Sequence, residues 1–430
     1  MKPSAILEHI LYWTKKIIPR RLFTALQPIY HYLLSFLGAL IYRFPSQKLT
    51  VIAITGTKGK TSVAELTNAI FEEAGYKTAL SSTLRFKIAE RSENNMRKMT
   101  LPGRFFLQKF LRQAVTAGCT HAIIEITSEA AKQYRHTFLS LDALIFTNIT
   151  PEHIESHGSY EKYLAAKLSI AESLARSSKK KTIIVANADD TEGQKFLAVP
   201  AKEKRPYSLS DARPYAVSEH GISLTFHGAH IVSPLRGEFN IANILAAATC
   251  AEAFGIPIDM IARGITKCAV IRGRMEEIRE GQNFAVYVDY AHTPESLQKA
   301  YAALSPAKLV CVLGGTGGGR DRWKRARMGE IAEKHCSHII LTDEDPYDED
   351  PMQIISDIRG GIKNKSMEVI LDRRNAIRRA LTLAKSGDAV IITGKGTDPY
   401  IMGPNNTRTP WNDAEVARKE LRARLNLAHK

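Results

Sequence analysis

Between residues 49 and 271, short apolar runs alternate with longer stretches whose apolar positions recur every three or four residues. Val51–Ile54, Ala122–Ile126, Ala143–Thr147 and Thr182–Ala186 are β-branched or continuously apolar and read as buried strands. Residues 62–74, 104–117 and 160–176 carry the helical spacing between them. This alternation predicts an α/β fold with a parallel sheet covered by helices. An Ala-rich helix follows Gly237-Glu-Phe-Asn-Ile-Ala-Asn243. From about 275 the pattern restarts, with strands at Ala285–Asp289, Leu309–Leu313, His338–Thr342 and Ala389–Thr393. The expected division is 49–272, a P-loop-type parallel-sheet domain, and 273–430, a Rossmann-like α/β domain.

Residues 1–48 have a different texture. Ile6, Leu7, Ile10, Leu11, Trp13, Ile17 and Ile18 recur at helical spacing, and a second apolar run, Tyr32–Tyr42, follows Pro28. That run is shorter than the ~20 residues needed to span a bilayer, and no small-x-small cleavage site follows it. Seven basic residues against Glu8 alone give the segment a net +6. Two readings stay open: basic amphipathic helices lying on a membrane surface, or a helical pair docked on the next domain.

A chain of 430 residues has room for two or three domains with real cores. Cys119, Cys250, Cys268, Cys311 and Cys336 form no C-x-x-C pair and have no histidine at zinc spacing. They read as structural buried thiols of a reducing compartment, which implies a cytoplasmic location, with contact at the inner face of the membrane under the first reading above. The net charge of +16 invites a nucleic-acid partner. The basic residues are spread widely without interleaved aromatics, however, so anionic small molecules or a membrane surface account for the excess equally well.

The chemistry concentrates in loops that follow strands. Gly56-Thr57-Lys58-Gly59-Lys60-Thr61-Ser62 joins the first strand to a helix. Its glycines allow the backbone to turn and approach a ligand, and the helix start presents free N–H groups to an anion. Lys60 adds a point charge, and the Thr61 hydroxyl can reach a metal held by phosphates. The loop is shorter than the usual P-loop, yet strand, glycines, Gly-Lys-Thr and helix coincide, which predicts ATP binding. Glu125 ends a strand where a carboxylate can serve magnesium. His153 and His157 follow the next strand, and Lys167 lies in the helix after them. Charged Gly- or Pro-turned loops of the second unit include Asp289-Tyr-Ala-His-Thr-Pro294, Gly314-Gly-Thr-Gly-Gly-Gly-Arg-Asp321, Thr342-Asp-Glu-Asp-Pro-Tyr347 and Gly394-Lys-Gly-Thr-Asp-Pro399.

Together these loops, in this order over residues 49–430, resemble the Mur ligase family, ATP-dependent amide-forming enzymes of cell-wall synthesis. Within it they are most similar to the branch that adds the third residue of the stem peptide. The resemblance implies an acyl-phosphate route from a muramoyl-peptide carboxylate and an incoming amino acid. It makes Lys60 and Thr61 the ATP-loop lysine and magnesium hydroxyl, and Glu125 and His153 ligands of two Mg2+ ions. Lys167 becomes a lysine carbamylated to bind the second metal. Asn243, Arg274 and Asp289 would contact the nucleotide, with His292 in the same signature loop as Asp289. Thr100, Ser128, Gln133 and Arg135 would meet the muramoyl peptide.

Three departures accompany the resemblance. The family's N-terminal UDP-holding domain is expected to be absent or reduced to residues 1–48, which leaves room for a lipid-linked or otherwise altered donor. Asp343-Glu344-Asp345-Pro346-Tyr347 replaces Asp-Asn-Pro-Arg, removing an arginine for a distal carboxylate; Glu344 and Asp345 suit a basic amino acid instead. Gly394-Lys395-Gly-Thr-Asp398 replaces Gly-Lys-Gly-His-Glu. The alternatives are a folylpolyglutamate-synthase-like ligase and a membrane-attached ATP-binding subunit without turnover. The Asp289-Tyr-Ala-His-Thr-Pro and Glu125-Ile-Thr-Ser128 sequences favour the muramoyl branch over the first. Lys60, Glu125, His153, Lys167 and Asp289 argue against the second.

Overall fold

A computed structural model describes residues 20–152 and 154–428. The central unit is an eight-stranded sheet ordered β4-β3-β2-β5-β1-β6-β7-β8. Its strands are β1 (Thr50–Thr55), β2 (Thr78–Ser81), β3 (Arg85–Ile88), β4 (Arg91–Asn94), β5 (His121–Glu125), β6 (Ala143–Phe146), β7 (Ile183–Asn187) and β8 (Glu203–Tyr207). All pairings are parallel except those of the edge hairpin β2–β3–β4. The four expected strands are present with ends shifted by a residue or so. β2, β3, β4 and β8 were not expected: β4 is fully exposed and β8 largely so, so neither shows a continuous apolar run.

Alternate residues of β1 explain the two-sided core. Ile52 and Ile54 face helices Lys60–Glu73, Phe239–Ala253 and Ile258–Lys267, while Val51 and Ala53 face helices Arg104–Thr116 and Tyr160–Ala175. A three-stranded antiparallel sheet, β9 (Tyr215–Ser218), β10 (Gly221–Phe226) and β11 (Ala229–Ser233), seals the first face.

The second unit is a six-stranded sheet ordered β12-β13-β17-β14-β15-β16. It contains β12 (Glu276–Glu277), β13 (Ala285–Asp289), β14 (Leu309–Leu313), β15 (Cys336–Leu341), β16 (Ser366–Val369) and β17 (Ala389–Thr393), parallel apart from β12. One expectation is corrected here. Cys311 and Cys336 are joined as a disulfide, with Cα atoms 6.1 Å apart, rather than standing as separate thiols. They lie on neighbouring strands β14 and β15, a proximity that a separation of 25 residues without a motif cannot announce. Cys119 and Cys250 are buried free thiols, as expected, and Cys268 is partly buried.

At the N-terminus the amphipathic stretch 6–18 lies outside the described residues. The following run forms one helix, Arg20–Ile41, that continues through Pro28 instead of ending there. Its polarity is inverted. Ser35, Gly38 and Ala39 are buried, with Ser35 Oγ donating to the Tyr134 carbonyl (2.7 Å). Leu26, Ile29, Leu33, Leu37, Leu40 and Ile41 are exposed. No described helix is long and apolar enough to cross a membrane.

Candidate active site

β1 lies between β5 and β6, so the crevice where crossovers diverge to either side opens beyond its carboxyl end. The loop after β1 fills that position. Gly56 and Gly59 adopt φ of +148° and +82°, and a Cβ on either would collide with the Thr147 or Asn243 side chain. Gly59 caps the helix Lys60–Glu73, whose first N–H groups therefore face the crevice. Lys60 Nζ curls back onto the loop, donating to the Gly56 and Thr57 carbonyls at 2.9 and 3.0 Å. Burial above all, then Lys58 and Arg274, brings its pKa down to about 8. Lys58 turns the other way, pairing with Glu152 (2.7 Å) while its N–H donates to Asn148 Oδ1.

Glu125, at the end of β5, is fully buried beside this loop. Its Oε2 accepts from Thr61 (3.2 Å) and Thr83 (3.0 Å) hydroxyls, and its Oε1 accepts the Thr83 N–H. Burial raises its pKa, so the carboxylate would gain from a nearby cation. The described residues contain no cluster of three or more His, Cys, Asp and Glu suited to a metal. Magnesium needs no such cage, since it keeps waters and phosphate oxygens and takes one or two protein ligands. Thr61 Oγ1 and Glu125 Oε2 fit that donor set. His153 lies outside the described residues.

Lys167 is 1% exposed, and its amine donates to the Gly56 carbonyl at 2.6 Å and lies 4.7 Å from the Tyr163 ring. Tyr163 in turn is hydrogen-bonded to Thr57 (2.8 Å). Burial, then the charge of Lys60, holds the Lys167 pKa well below the ordinary lysine value. Desolvation thus disfavours its ammonium form under the phosphate loop.

The C-terminal unit closes over this half. Arg274 reaches from the hinge to Thr61 Oγ1 (3.4 Å) and stacks over Tyr290, 4.3 Å from its ring centroid. Asp289, at the end of β13, accepts from the Met275 and Ala291 N–H groups, both at 2.7 Å, and so ties hinge to signature loop. His292 bonds through Nδ1 to the Tyr290 carbonyl (2.7 Å); burial, then Lys58 and Lys324, keeps its pKa well below the usual value. Asn243 donates to Asn240 Oδ1 (2.8 Å) from the central domain's side.

Thr57, Lys58, Lys60, Thr61, Asn243, Arg274, Asp289 and His292 line one cleft of 810 Å³, a volume typical of ligand pockets, whereas Glu125 and Lys167 are buried behind its wall. Thr100, Ser128, Gln133 and Arg135 form its other end. Thr100 bonds Thr83 (2.8 Å), Ser128 bonds His157 Nε2 (3.1 Å), and Arg135 donates to Gln133 Oε1 (2.7 Å) and the Leu101 carbonyl. Glu344, Asp345, Gly394 and Asp398 line the C-terminal wall, whereas Asp343 and Lys395 do not reach it. Lys395 is fully buried beneath, donating to Asp345 (2.8 Å), Asp398 (3.3 Å) and the Tyr400 carbonyl (2.6 Å). Asp343 accepts the Glu344 N–H instead.

Several cleft residues escaped the reading of the sequence. Thr83 holds Glu125, and the hydroxyl-rich Ser81-Ser82-Thr83 after a short strand was the available signal. Asn148 braces the loop through Lys58, and Lys98, Arg320 and Lys324 bring further cationic groups to the cleft. Arg320 lies in the Gly-rich loop already noted, whereas nothing in the spacing of Lys98 and Lys324 distinguishes them from surface residues.

A phosphate loop facing a second α/β unit across one cleft, with carboxylates on both sides, defines a two-domain nucleotide-dependent enzyme. Residues 54–251 match the Mur ligase middle domain, and residues 273–396 match the Mur ligase glutamate ligase domain. The chain is 36% identical over 413 residues to a UDP-N-acetylmuramyl-tripeptide synthetase of Roseiflexus sp. (strain RS-1), covering 90% of this chain and 81% of that protein. It is 35% identical over 406 residues to the UDP-N-acetylmuramoyl-L-alanyl-D-glutamate–2,6-diaminopimelate ligase of Thermosynechococcus vestitus, covering 90% and 80%. A solved structure of a ligase with that same name aligns at 29% identity with a TM-score of 0.63, covering 91% of this chain and 83% of the other. A folylpolyglutamate synthase from Mycobacterium tuberculosis shares the fold at 17% identity and a TM-score of 0.69, covering 84% and 92%. The chain belongs to the Mur ligase family, whose members are ATP-dependent, ADP-forming acid–amino acid ligases.

Proposed function

We propose that this enzyme joins an amino acid to the carboxylate of a muramoyl peptide, in the manner named for its relatives. The observation that carries the reading is the single cleft, in which the phosphate loop meets Thr100, Ser128, Gln133 and Arg135 at one end and Asp345 and Asp398 at another. ATP, its charge offset by magnesium, would supply the phosphoryl group to the donor carboxylate with ADP leaving, and the incoming amine would then expel inorganic phosphate from the acyl phosphate. The residues of the chain hold and shield that chemistry. Lys60 would release the Gly56 and Thr57 carbonyls and turn to the phosphates, and Thr61, Glu125 and His153 would hold the metal. Lys167, an uncharged amine once desolvated, is suited to add carbon dioxide: an N–C bond forms, a proton leaves, and a carboxylate-like ligand results. Arg274 and Asp289 would keep the C-terminal unit, residues 273–430, closed over the central unit, residues 49–272, excluding water. Asn243 and His292 would flank the nucleotide.

Residues 1–48 place the enzyme at an anionic membrane face in this reading. The support is the outward apolar stripe of Leu26, Ile29, Leu33, Leu37, Leu40 and Ile41, more exposed apolar surface than a solvated helix presents. The net +6 of the segment adds attraction for acidic lipids.

Hydroxylamine trapping tests the first half-reaction. Enzyme, ATP, magnesium and UDP-muramoyl-dipeptide should give a donor hydroxamate without any amino acid. No hydroxamate with that donor, or with its lipid-linked counterpart, would reject the acyl-phosphate route.

A further inference from the structure

Lys98 belongs to the loop between β4 and the helix Arg104–Thr116, two residues before Thr100, yet its ammonium lies in the C-terminal unit. It pairs with Asp345, stands 3.4 Å from Asp398 Oδ2, and lies 5.9 Å from the Tyr347 ring centroid. All four residues line the cleft. Lys98 and Tyr347 both hold left-handed backbones, at φ of +52° and +55°, a conformation that non-glycine residues keep only under constraint.

Asp345 Oδ1 is saturated by Lys395 (2.8 Å) and the Met402 N–H (2.8 Å), so its Oδ2 remains for a ligand from the cleft. Asp398 shares Lys395 at a looser 3.3 Å. Two carboxylates against one buried lysine leave one negative charge over, and Lys98 cancels it. Glu344 stands next to them with Oε2 buried and unpartnered. Lys98 itself is 18% exposed, on a long flexible stem that crosses between the two units. With 18% and 5% of the two side chains exposed, the pair is largely withdrawn from water, where desolvation offsets much of the attraction.

We propose that Lys98 is a tethered stand-in for the substrate, filling a seat made for the distal ammonium of a diamino acid such as lysine or ornithine. The incoming amino acid's side-chain ammonium displaces it and takes over Asp345, Asp398 and the Tyr347 face. An amino acid without a distal cation leaves Lys98 seated, so the exchange weakens binding of the cationic substrates alone. This rests on the ligase reading above.

The test compares the wild type with Lys98→Met, which keeps the stem and removes the charge, in steady-state kinetics over lysine, ornithine, alanine and meso-diaminopimelate. A ligand that must displace a competitor seated most of the time binds more weakly by the inverse of the open fraction, roughly fivefold for an open fraction of about one fifth. KM for the diamino acid should therefore fall roughly fivefold in Lys98→Met with kcat little changed, and alanine should be unaffected. A KM that stays or rises overturns the proposal. A rise confined to meso-diaminopimelate would assign Lys98 to a carboxylate instead. Amine labelling read by mass spectrometry needs no turnover: Lys98 in the wild type should be protected alone and label faster with saturating lysine. Unchanged labelling overturns the proposal, whereas absent turnover with every amino acid would reject the ligase reading alone.

Discussion

Replacing Lys60 by methionine should remove from the ligand-free protein a pH response that the wild type shows. The Lys60 pKa falls from an ordinary 10.5 to about 8 in the folded chain. At about 1.4 kcal/mol per pH unit, keeping the ammonium charged at pH 7 costs the fold roughly 3 kcal/mol. Part of the side chain reaches solvent, which screens the charge and makes this an upper bound. The sign follows from proton counting. Between pH 8 and 10.5 the unfolded chain binds more protons at this site, so the wild type gains stability from Lys60 as pH rises through that window. The penalty is complete below the folded pKa and gone above the unfolded one. Methionine removes it at all pH values but also removes two donors to the Gly56 and Thr57 carbonyls, a loss of about 1 kcal/mol each. Lys60→Met should then be as stable as the wild type or slightly more so at pH 7, and less stable by about 2 kcal/mol near pH 10.5. Urea unfolding of both proteins at pH 7, 9 and 10.5 measures the difference, in which titration of groups remote from Lys60 cancels, leaving Lys60 and the neighbours that sense its charge, Lys167 and Glu125. Turnover should drop at least about a hundredfold, since a preorganised charge at the phosphates is lost. A stability difference independent of pH would refute the reasoning, because Lys60 would then titrate alike in both states.

The remaining predictions concern the same cleft and the N-terminal helix. Lys167→Ala should abolish turnover, with partial rescue by short-chain carboxylic acids; unchanged activity would remove Lys167 from the metal site. Glu125→Gln should lower kcat by about 10²–10³ and weaken the dependence on magnesium, read by titrating the metal at fixed ATP. Gly59→Ala forces a Cβ against Asn243 at φ of +82°, costing about 1–3 kcal/mol and nucleotide binding with it, as thermal melting and nucleotide titration would show. Leu33→Asp with Leu37→Asp should abolish sedimentation with phosphatidylglycerol vesicles while leaving turnover on a soluble donor intact; sedimentation equal to the wild type's would dismiss the membrane face.

Strands with an apolar residue at nearly every position, such as β1, β5, β14 and β17, were legible because burial on both faces leaves a continuous run. The loops after them were legible because glycines and charges interrupt those runs abruptly. β4 and β9 carry no such signature: their residues are mostly exposed, and both are edge strands held by pairing to one neighbour. The helix Arg20–Ile41 could not be read whole from the sequence, because Pro28 lies in its interior, where proline removes a hydrogen bond and ordinarily breaks a helix. Its inverted polarity was hidden because periodicity marks an apolar face without saying which way the face points. The Cys311–Cys336 bridge depends on strand order alone. Glu125, Asp289 and Gly394 could be placed at the cleft from strand ends. The burial of Lys395 below Asp345, and the reach of Lys98 to the same carboxylate, are tertiary facts. They also revise the view of Asp345 as a free acidic group, since Lys395 and Lys98 already hold it.

The most direct measurement is ATP-dependent phosphate release with UDP-muramoyl-dipeptide across meso-diaminopimelate, lysine, ornithine and alanine. The account predicts release stimulated by a diamino acid, with ADP and a donor lengthened by one residue formed in equal amounts. Release that no amino acid stimulates, on this donor or a lipid-linked muramoyl peptide, would contradict it.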